Sequence, residues 1–118
     1  MTPLLNQIDF IVEDVKGATA FLRDALGLSP VVDEERFAQF DLGAMTVMFS
    51  PDALVPMEPA QGVILHFQVP DVAHALEQAQ RHGAKLLWGP KTTDWYTESA
   101  IIEGPGGIRI DLYRPVEP

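Results

Sequence analysis

An internal repeat constrains the fold of this 118-residue chain more than any other feature of its sequence. Residues 10–15, FIVEDV, recur as residues 67–72, FQVPDV, at an offset of 57 positions. Each copy ends a run of alternating apolar residues and carries an aspartate at the position of a helix N-cap. A helical pattern follows each copy and ends at a glycine, Gly27 or Gly83. Both copies therefore predict a strand, a cap and a helix, in that order.

A second correspondence extends the repeat to the end of each half, because residues 43–50 align with residues 106–113. The chain is therefore interpreted as two β-α-β-β-β modules, the first at about 5–50 and the second at about 62–115. Three prolines and a lack of periodicity mark the linker between them, at about 51–61. The predicted elements are strands at 6–12, 28–32, 37–42, 45–49, 63–69, 86–88, 99–103 and 108–113, helices at 15–26 and 72–81, and a loop at 89–97.

Length and composition place the chain among compact single domains. Hydrophobic residues make up 47% and charged residues 21% of the chain, which are the usual proportions of a globular protein. No apolar run approaches the roughly 20 residues of a membrane helix, and the N-terminus lacks the features of a secretory signal. The sequence contains no cysteine, which excludes disulfides and thiolate chemistry. We therefore expect one cytoplasmic domain over residues 1–118.

The formal net charge of −9 and the pI near 4.5 limit the partners of the protein. Nucleic acids and anionic membranes are bound through clusters of lysine and arginine, and this sequence has no such cluster. An acidic chain favours neutral or cationic ligands, although solubility alone accounts for the same charge. We expect no nucleic-acid partner and no membrane partner.

These features resemble the vicinal oxygen chelate superfamily, the group of glyoxalases, bleomycin resistance proteins and extradiol dioxygenases. The resemblance lies in the paired Asp-Val boundaries at 14–15 and 71–72, the helix end at 21–28 and the closing segment at 104–112. It implies an α+β fold in which two βαβββ modules form a curved mixed sheet, with the helices outside and a ligand cup inside. It also implies a homodimer. The superfamily includes isomerases, lyases, dioxygenases, thiol transferases and proteins that sequester antibiotics, so the fold alone does not select a function.

In superfamily members that use a metal, each module supplies ligands from its first and last strands. The resemblance places these positions at Gln7, Met48, Ile64 and Asp111. Met48 and Ile64 offer neither a carboxylate nor an imidazole, so two of the four ligands are missing. We therefore expect no metal and no other cofactor. If a divalent metal is bound, the remaining donors are Gln7, His66 and Asp111.

Alternation along the strands assigns an unusually polar set of side chains to the sheet face that lies away from the helices. Buried polar groups require partners, so such a set forms either a satisfied internal network or a ligand site, and the sequence leaves both open. The set consists of Gln7, Asp9, His66, Gln68, Arg109, Asp111 and Tyr113.

His66 is the candidate for chemistry among these residues. It lies two residues after Ile64 on the same strand face, where it can act as a general base or replace the missing metal ligand. Asp9 occupies the equivalent position in the first module and is the candidate catalytic partner of His66. The alternative is a structural histidine that is hydrogen-bonded to Asp9 or Asp111.

The remaining candidates are assigned to ligand binding. Arg109 either clamps a carboxylate or phosphate of the ligand or neutralises Asp111 within the protein. Trp95 forms a lid or stacking wall at the rim of the cup, or packs as an ordinary loop residue. Gln7, Met48, Gln68, Asp111 and Tyr113 complete the predicted binding set.

The leading hypothesis is a protein that binds a small organic molecule in the cup, of the sequestering or resistance type, without the full metal site. The alternative is an enzyme, namely a lyase, isomerase or dioxygenase-like protein. Such an enzyme would use either the reduced metal site or metal-free acid–base catalysis by His66 and Asp9. The two hypotheses differ in whether the bound molecule is changed.

Overall fold

The chain forms eight strands and two α-helices in a computed structural model, which describes residues 2–58 and 62–118. The elements of the first half are β1 (Gln7–Ile11), α1 (Val15–Ala20), β2 (Val32–Asp33), β3 (Ala38–Leu42) and β4 (Met45–Ser50). Those of the second half are β5 (Ile64–Gln68), α2 (Val72–Arg81), β6 (Lys85–Thr92), β7 (Thr97–Glu103) and β8 (Arg109–Pro115). A π-helical turn at Phe21–Ala25 extends α1, and a 3₁₀ turn at Pro105–Gly107 precedes β8. No helix in the described ranges is long and apolar enough to cross a membrane.

The strands form two four-stranded mixed sheets that share one topology. Their strand orders are β1-β4-β3-β2 and β5-β8-β7-β6. In each sheet the first strand of the module runs parallel to the last, and the other neighbours are antiparallel. This arrangement confirms the predicted α+β fold of two βαβββ modules, with one sheet for each module.

The repeated aspartates cap the two helices as the sequence predicts. Asp14 Oδ1 accepts a hydrogen bond of 2.8 Å from the backbone N–H of Gly17, and Asp71 Oδ1 accepts one of 3.0 Å from that of His74. Gly83 follows α2 with a φ of 92°, a conformation that a residue without a Cβ adopts at little cost. The caps therefore start each helix directly after the first strand of its module, which directs the helix back across its sheet.

One face of each sheet packs against the helices and forms the hydrophobic core. Phe40 and Phe49 of the first sheet and Ile110 and Leu112 of the second sheet belong to one buried cluster, which also contains Val15 of α1. The cluster spans both modules, and α2 also packs against the π-helical turn of the first module. Side chains alternate along a strand, so the residues between these core positions point to the opposite face, away from the core.

The first half departs from the sequence prediction in two places. The strand predicted at 28–32 is reduced to Val32–Asp33, because Pro30 has no N–H with which to continue a ladder. The helix predicted at 15–26 changes to π-helical geometry at Phe21. Neither difference moves the polar residues of the predicted site, which lie on other strands.

The second half departs in the length of β6. The loop predicted at 89–97 is shorter than expected, because β6 continues past a bulge to Thr92 and only residues 93–96 connect it to β7. In the predicted linker, residues 51–58 contain no helix or strand, and residues 59–61 lie outside the described residues. The extended β6 forms a long outer edge of the second sheet, next to β7.

Candidate functional site

The face of the second sheet that points away from the core carries most of the predicted site residues. Strands β5 and β8 lie side by side in a register that puts His66 opposite Asp111, and β7 places Ile101 on the other side of Asp111. Paired residues project to the same side of a sheet, so these positions share one surface. This surface, the open face, includes Ile64, His66, Gln68, Ser99, Ile101, Arg109, Asp111 and Tyr113.

A hydrogen bond between His66 and Asp111 lies at the centre of the open face. His66 Nδ1 is 2.8 Å from Asp111 Oδ2. The His66 side chain is 59% exposed, whereas that of Asp111 is only 10% exposed. The imidazole therefore reaches solvent while a buried carboxylate holds it from behind, and we refer to the two side chains as the dyad.

Only one of the two carboxylate oxygens of Asp111 has a hydrogen-bond partner among the described residues. Its second carboxylate oxygen, Oδ1, is buried and has no hydrogen-bond partner among the described residues. A buried polar atom without a partner costs about 1–3 kcal/mol, and native structures contain few of them. Asp111 is therefore a candidate functional residue.

Further polar side chains extend the open face beyond the dyad. The ring of Tyr113 meets that of His66 edge to face, with 6.1 Å between their centroids. Next to Tyr113, a row of hydroxyls joins Ser99 Oγ to Thr97 Oγ1 at 3.0 Å and Thr97 Oγ1 to Thr93 Oγ1 at 2.8 Å. Sequence reasoning missed this row. Its signal is the spacing of two residues between Thr97 and Ser99 on one strand, which puts both hydroxyls on the same face.

The carboxylate bonded to His66 is that of Asp111 and not that of Asp9. Asp9 lies on the first sheet, where its Oδ1 accepts a hydrogen bond of 3.2 Å from Gln7 Nε2 and where β4 places Met48 opposite it. His66 and Asp111 are direct neighbours in one parallel ladder, which brings their side chains together without any contribution from the other module. Gln7, Asp9 and Met48 therefore share a face of the first sheet, separate from the dyad.

Arg109 does not neutralise Asp111, so this sequence-based alternative is wrong. Its Nη1 donates to Glu103 Oε1 at 2.8 Å and to the carbonyl oxygen of Gly107 at 3.0 Å. The reason is register, because Glu103 lies directly opposite Arg109 in the antiparallel β7–β8 ladder. Glu103 and Arg109 therefore form a separate ion pair at one end of the open face, and His66 is the side chain that contacts Asp111.

Trp95 lies in the short loop between β6 and β7, at the opposite end of the second sheet from Arg109, and is 70% exposed. The loop is closed by a backbone hydrogen bond of 2.8 Å from the Thr93 N–H to the Thr97 carbonyl oxygen. Tyr96 has a φ of 64°, a conformation that side-chain-bearing residues seldom adopt. A tightly closed loop thus presents an aromatic side chain to solvent at the end of the site-bearing sheet.

Two of the four side chains at the ligand positions that the resemblance implies are poor metal donors. Ile64 has no donor atom, and Met48 offers a neutral thioether in place of the carboxylate, imidazole or amide group that the family pattern has there. The described residues contain no group of three or more His, Cys, Asp or Glu side chains arranged to hold a metal ion. Asp111, the best donor of the four positions, already uses Oδ2 to bind His66.

A cavity of about 720 Å³ lies at the junction of the two modules rather than at the dyad. Its walls include residues 9–13 of the first module and residues 106–109 of the second. Asp9 and Arg109 border this cavity, but His66 and Asp111 do not. We place the candidate site at the dyad because it combines an accessible imidazole with a buried, incompletely satisfied carboxylate, whereas Arg109 at the junction already has its partner.

A comparison with models of protein families tests the family relationship that the internal repeat suggests. The model of the Glyoxalase/Bleomycin resistance protein/Dioxygenase superfamily matches residues 4–112. The chain belongs to this superfamily. The match takes in both sheets and the dyad, so the open face of this glyoxalase superfamily protein is part of the shared fold.

Three solved structures have folds similar to that of this chain. A structure described as a conserved domain protein is 39% identical, with a TM-score of 0.82 over 96% of this chain and 99% of that chain. A glyoxalase-related enzyme from Fulvimarina pelagi is 15% identical, with a TM-score of 0.86 over 96% and 88% of the two chains. TnmS3, an antibiotic binding protein from Streptomyces sp. CB03234, is 21% identical, with a TM-score of 0.76 over 97% and 96%. At 15% and 21% identity, the last two similarities show a common fold and nothing about function.

Proposed function

We propose that this glyoxalase superfamily protein binds a small organic molecule on the open face of its second sheet, as a sequestering or resistance-type protein. The dyad carries the proposal, because a buried carboxylate with an unpartnered oxygen supports an exposed imidazole at the centre of that face. The antibiotic-binding protein TnmS3, which has the same fold, supports a sequestering role. The acidic chain lacks a cluster of lysine and arginine that would bind nucleic acid or anionic lipid, so we propose neither as a partner. We also propose a cytoplasmic location.

We propose that a second copy of the chain covers the open face in a homodimer. Ile64 on the edge strand β5 is 43% exposed, and Trp88 on the edge strand β6 is 38% exposed. Exposed apolar side chains beside unpaired strand edges favour association. A partner that contributes its first sheet brings Gln7, Asp9 and Met48 towards the dyad, which places all the predicted site residues around one ligand.

The homodimer is tested by light scattering at micromolar concentration. We expect a mass of twice the 13.0 kDa of the chain, because a twofold axis generates two equivalent contacts between unlike modules, which together cover the open faces of both copies. A mass of one chain across this concentration range contradicts the homodimer. Ligand binding by the open face of a single chain would then be tested separately.

Binding is tested by tryptophan fluorescence, since Trp88 and Trp95 both lie on the second sheet or its connecting loop. We expect members of a panel of small aromatic and cationic compounds to change the emission of the wild-type protein in a saturable way. The change should be lost in His66→Gln and kept in His74→Gln, which makes the same substitution on the exposed surface of α2. Saturable binding that is equal in both variants contradicts a site at the dyad.

Metal content provides a separate expectation. Protein purified without chelator should contain no stoichiometric divalent metal, because Met48 and Ile64 occupy ligand positions and Asp111 is bonded to His66. Elemental analysis by mass spectrometry measures this directly. Zinc, nickel, manganese or iron at close to one ion per chain would contradict the expectation and favour the reduced set of Gln7, His66 and Asp111.

Acid–base catalysis is the second candidate function, and the bond between Nδ1 of His66 and Asp111 is the observation that favours it. A histidine oriented by a carboxylate is a common general base. Catalysis of the lyase or isomerase type requires that the bound compound be converted. Mass and chromatographic analysis of a ligand recovered from the protein distinguishes the candidates, since a sequestering protein returns the compound unchanged.

A further inference from the structure

We propose that Asp111 holds neutral His66 in the form that carries hydrogen on Nδ1, so that the site selects organic molecules with a phenol-like hydroxyl that donates to Nε2. The proposal rests on the proposed binding function and adds the chemical class of the ligand. Asp111 acts in it as a positioning residue, and His66 makes the contact with the ligand.

The direction of the hydrogen bond follows from the groups that form it. A carboxylate has no hydrogen and can only accept, so Nδ1 of His66 is the donor to Asp111 Oδ2 at 2.8 Å. In a neutral imidazole one ring nitrogen carries the hydrogen and the other carries a lone pair. Nε2 therefore carries the lone pair, and it belongs to a side chain that is mostly exposed on the open face. It offers an incoming molecule an acceptor.

No lysine or arginine among the described residues forms an ion pair with Asp111, and Lys91 Nζ lies 5.4 Å from the centroid of the Trp88 ring instead. Arg109, two residues before Asp111, is held by Glu103 and by the carbonyl oxygen of Gly107. Among the described residues Asp111 has no hydrogen-bonding side chain other than His66, and its Oδ1 has none at all. The His66 imidazole is therefore the side chain that this carboxylate orients.

The side chains around the His66 imidazole favour a ligand whose hydroxyl is attached to a flat, apolar ring. Ile64 lies two residues before His66 on the same strand face, Ile101 lies opposite Asp111 in the ladder, and the Tyr113 ring meets the imidazole edge to face. These side chains provide apolar contact on three sides of the dyad. A phenol combines a planar ring for these contacts with one hydroxyl for Nε2.

The tautomer is measured first, on protein without ligand, by two-bond ¹H–¹⁵N correlation spectra of the histidine rings at about pH 8.5. The sequence has only three histidines, so His74 and His82 on and beside α2 act as internal references for exposed rings. His66 should show hydrogen on Nδ1, and Asp111→Asn should shift it towards the Nε2–H form. Asp52→Asn, which changes an exposed carboxylate paired with Arg36, should leave it unchanged. A wild-type His66 ring that is doubly protonated or carries its hydrogen on Nε2 overturns the positioning role.

The ligand class is then tested with 4-methylphenol and 4-methylanisole, two rings of similar size that differ in the hydroxyl hydrogen. The phenol should bind wild-type protein about tenfold more tightly, a factor that one hydrogen bond supplies. His66→Gln should reduce this preference, and 4-methylbenzoate, which offers only acceptors, should not bind more tightly than the anisole. Equal affinity for phenol and anisole, or no binding of either, overturns the ligand class. A panel compound that still binds at the dyad would leave the binding function intact.

Discussion

Replacing His66 with leucine is expected to lower the free energy of unfolding by about 1–3 kcal/mol. Asp111 is 10% exposed at its side chain and already has one unpartnered oxygen, so loss of the imidazole leaves both carboxylate oxygens without a hydrogen-bonding side chain. Urea denaturation measures the change. Ligand-dependent fluorescence should be lost in the same variant.

A double-mutant cycle separates the lost pair from the lost side chain. Asp111→Leu combined with His66→Leu removes both partners and the unsatisfied oxygen, so the double variant should recover most of the stability. It should still fail to bind the compounds that wild-type protein binds. A double variant as unstable as His66→Leu alone would show that the loss comes from packing and not from a stranded carboxylate.

Replacing Gly89 with alanine is expected to destabilise the protein by about 2–4 kcal/mol, the sum of backbone strain and overpacking. Gly89 has a φ of 84°, and a Cβ there would overlap the carbonyl oxygen of Ser99 and lie 3.3 Å from Ala100 Cα. Ser99 is on the open face, so the clash falls on the strand that supports the dyad. The measurement is the urea midpoint of the variant.

Gly43 provides the matched control for this substitution. Its φ of 68° is also left-handed, but a Cβ there meets nothing within 4 Å. Gly43→Ala therefore carries backbone strain without the clash and should cost about 1 kcal/mol. Equal losses in the two variants would contradict the role of the close approach to Ser99.

The internal repeat made the fold predictable from the sequence. Asp14 and Asp71 cap helices at corresponding points of the two modules, and strand alternation correctly assigned the polar side chains to the face away from the core. These features depend on neighbours close in sequence and on a spacing that is repeated. Alternation alone is therefore enough to assign His66 and Asp111 to the sheet face away from the helices.

The partners of the polar residues were harder to predict, because they depend on strand register. Sequence reasoning left His66 between Asp9 and Asp111, and only the parallel pairing of β5 with β8 puts Asp111 beside it. The ion pair between Glu103 and Arg109 could have been found, since the two residues flank the glycine-rich turn at 104–107 in antiparallel strands. The buried, unpartnered Oδ1 of Asp111 has no signature in the sequence.

The central claim is that the open face of the second sheet is the ligand site, and mapping of amide chemical shifts tests it most directly. Wild-type protein labelled with ¹⁵N is titrated with the compounds that change tryptophan emission. The account predicts that the shifted signals cluster at residues 66–68, 99–101 and 111–113, and that Asp111→Asn weakens the titration. Shifts that cluster at residues 9–13 and 106–109, around the cavity between the modules, would contradict it.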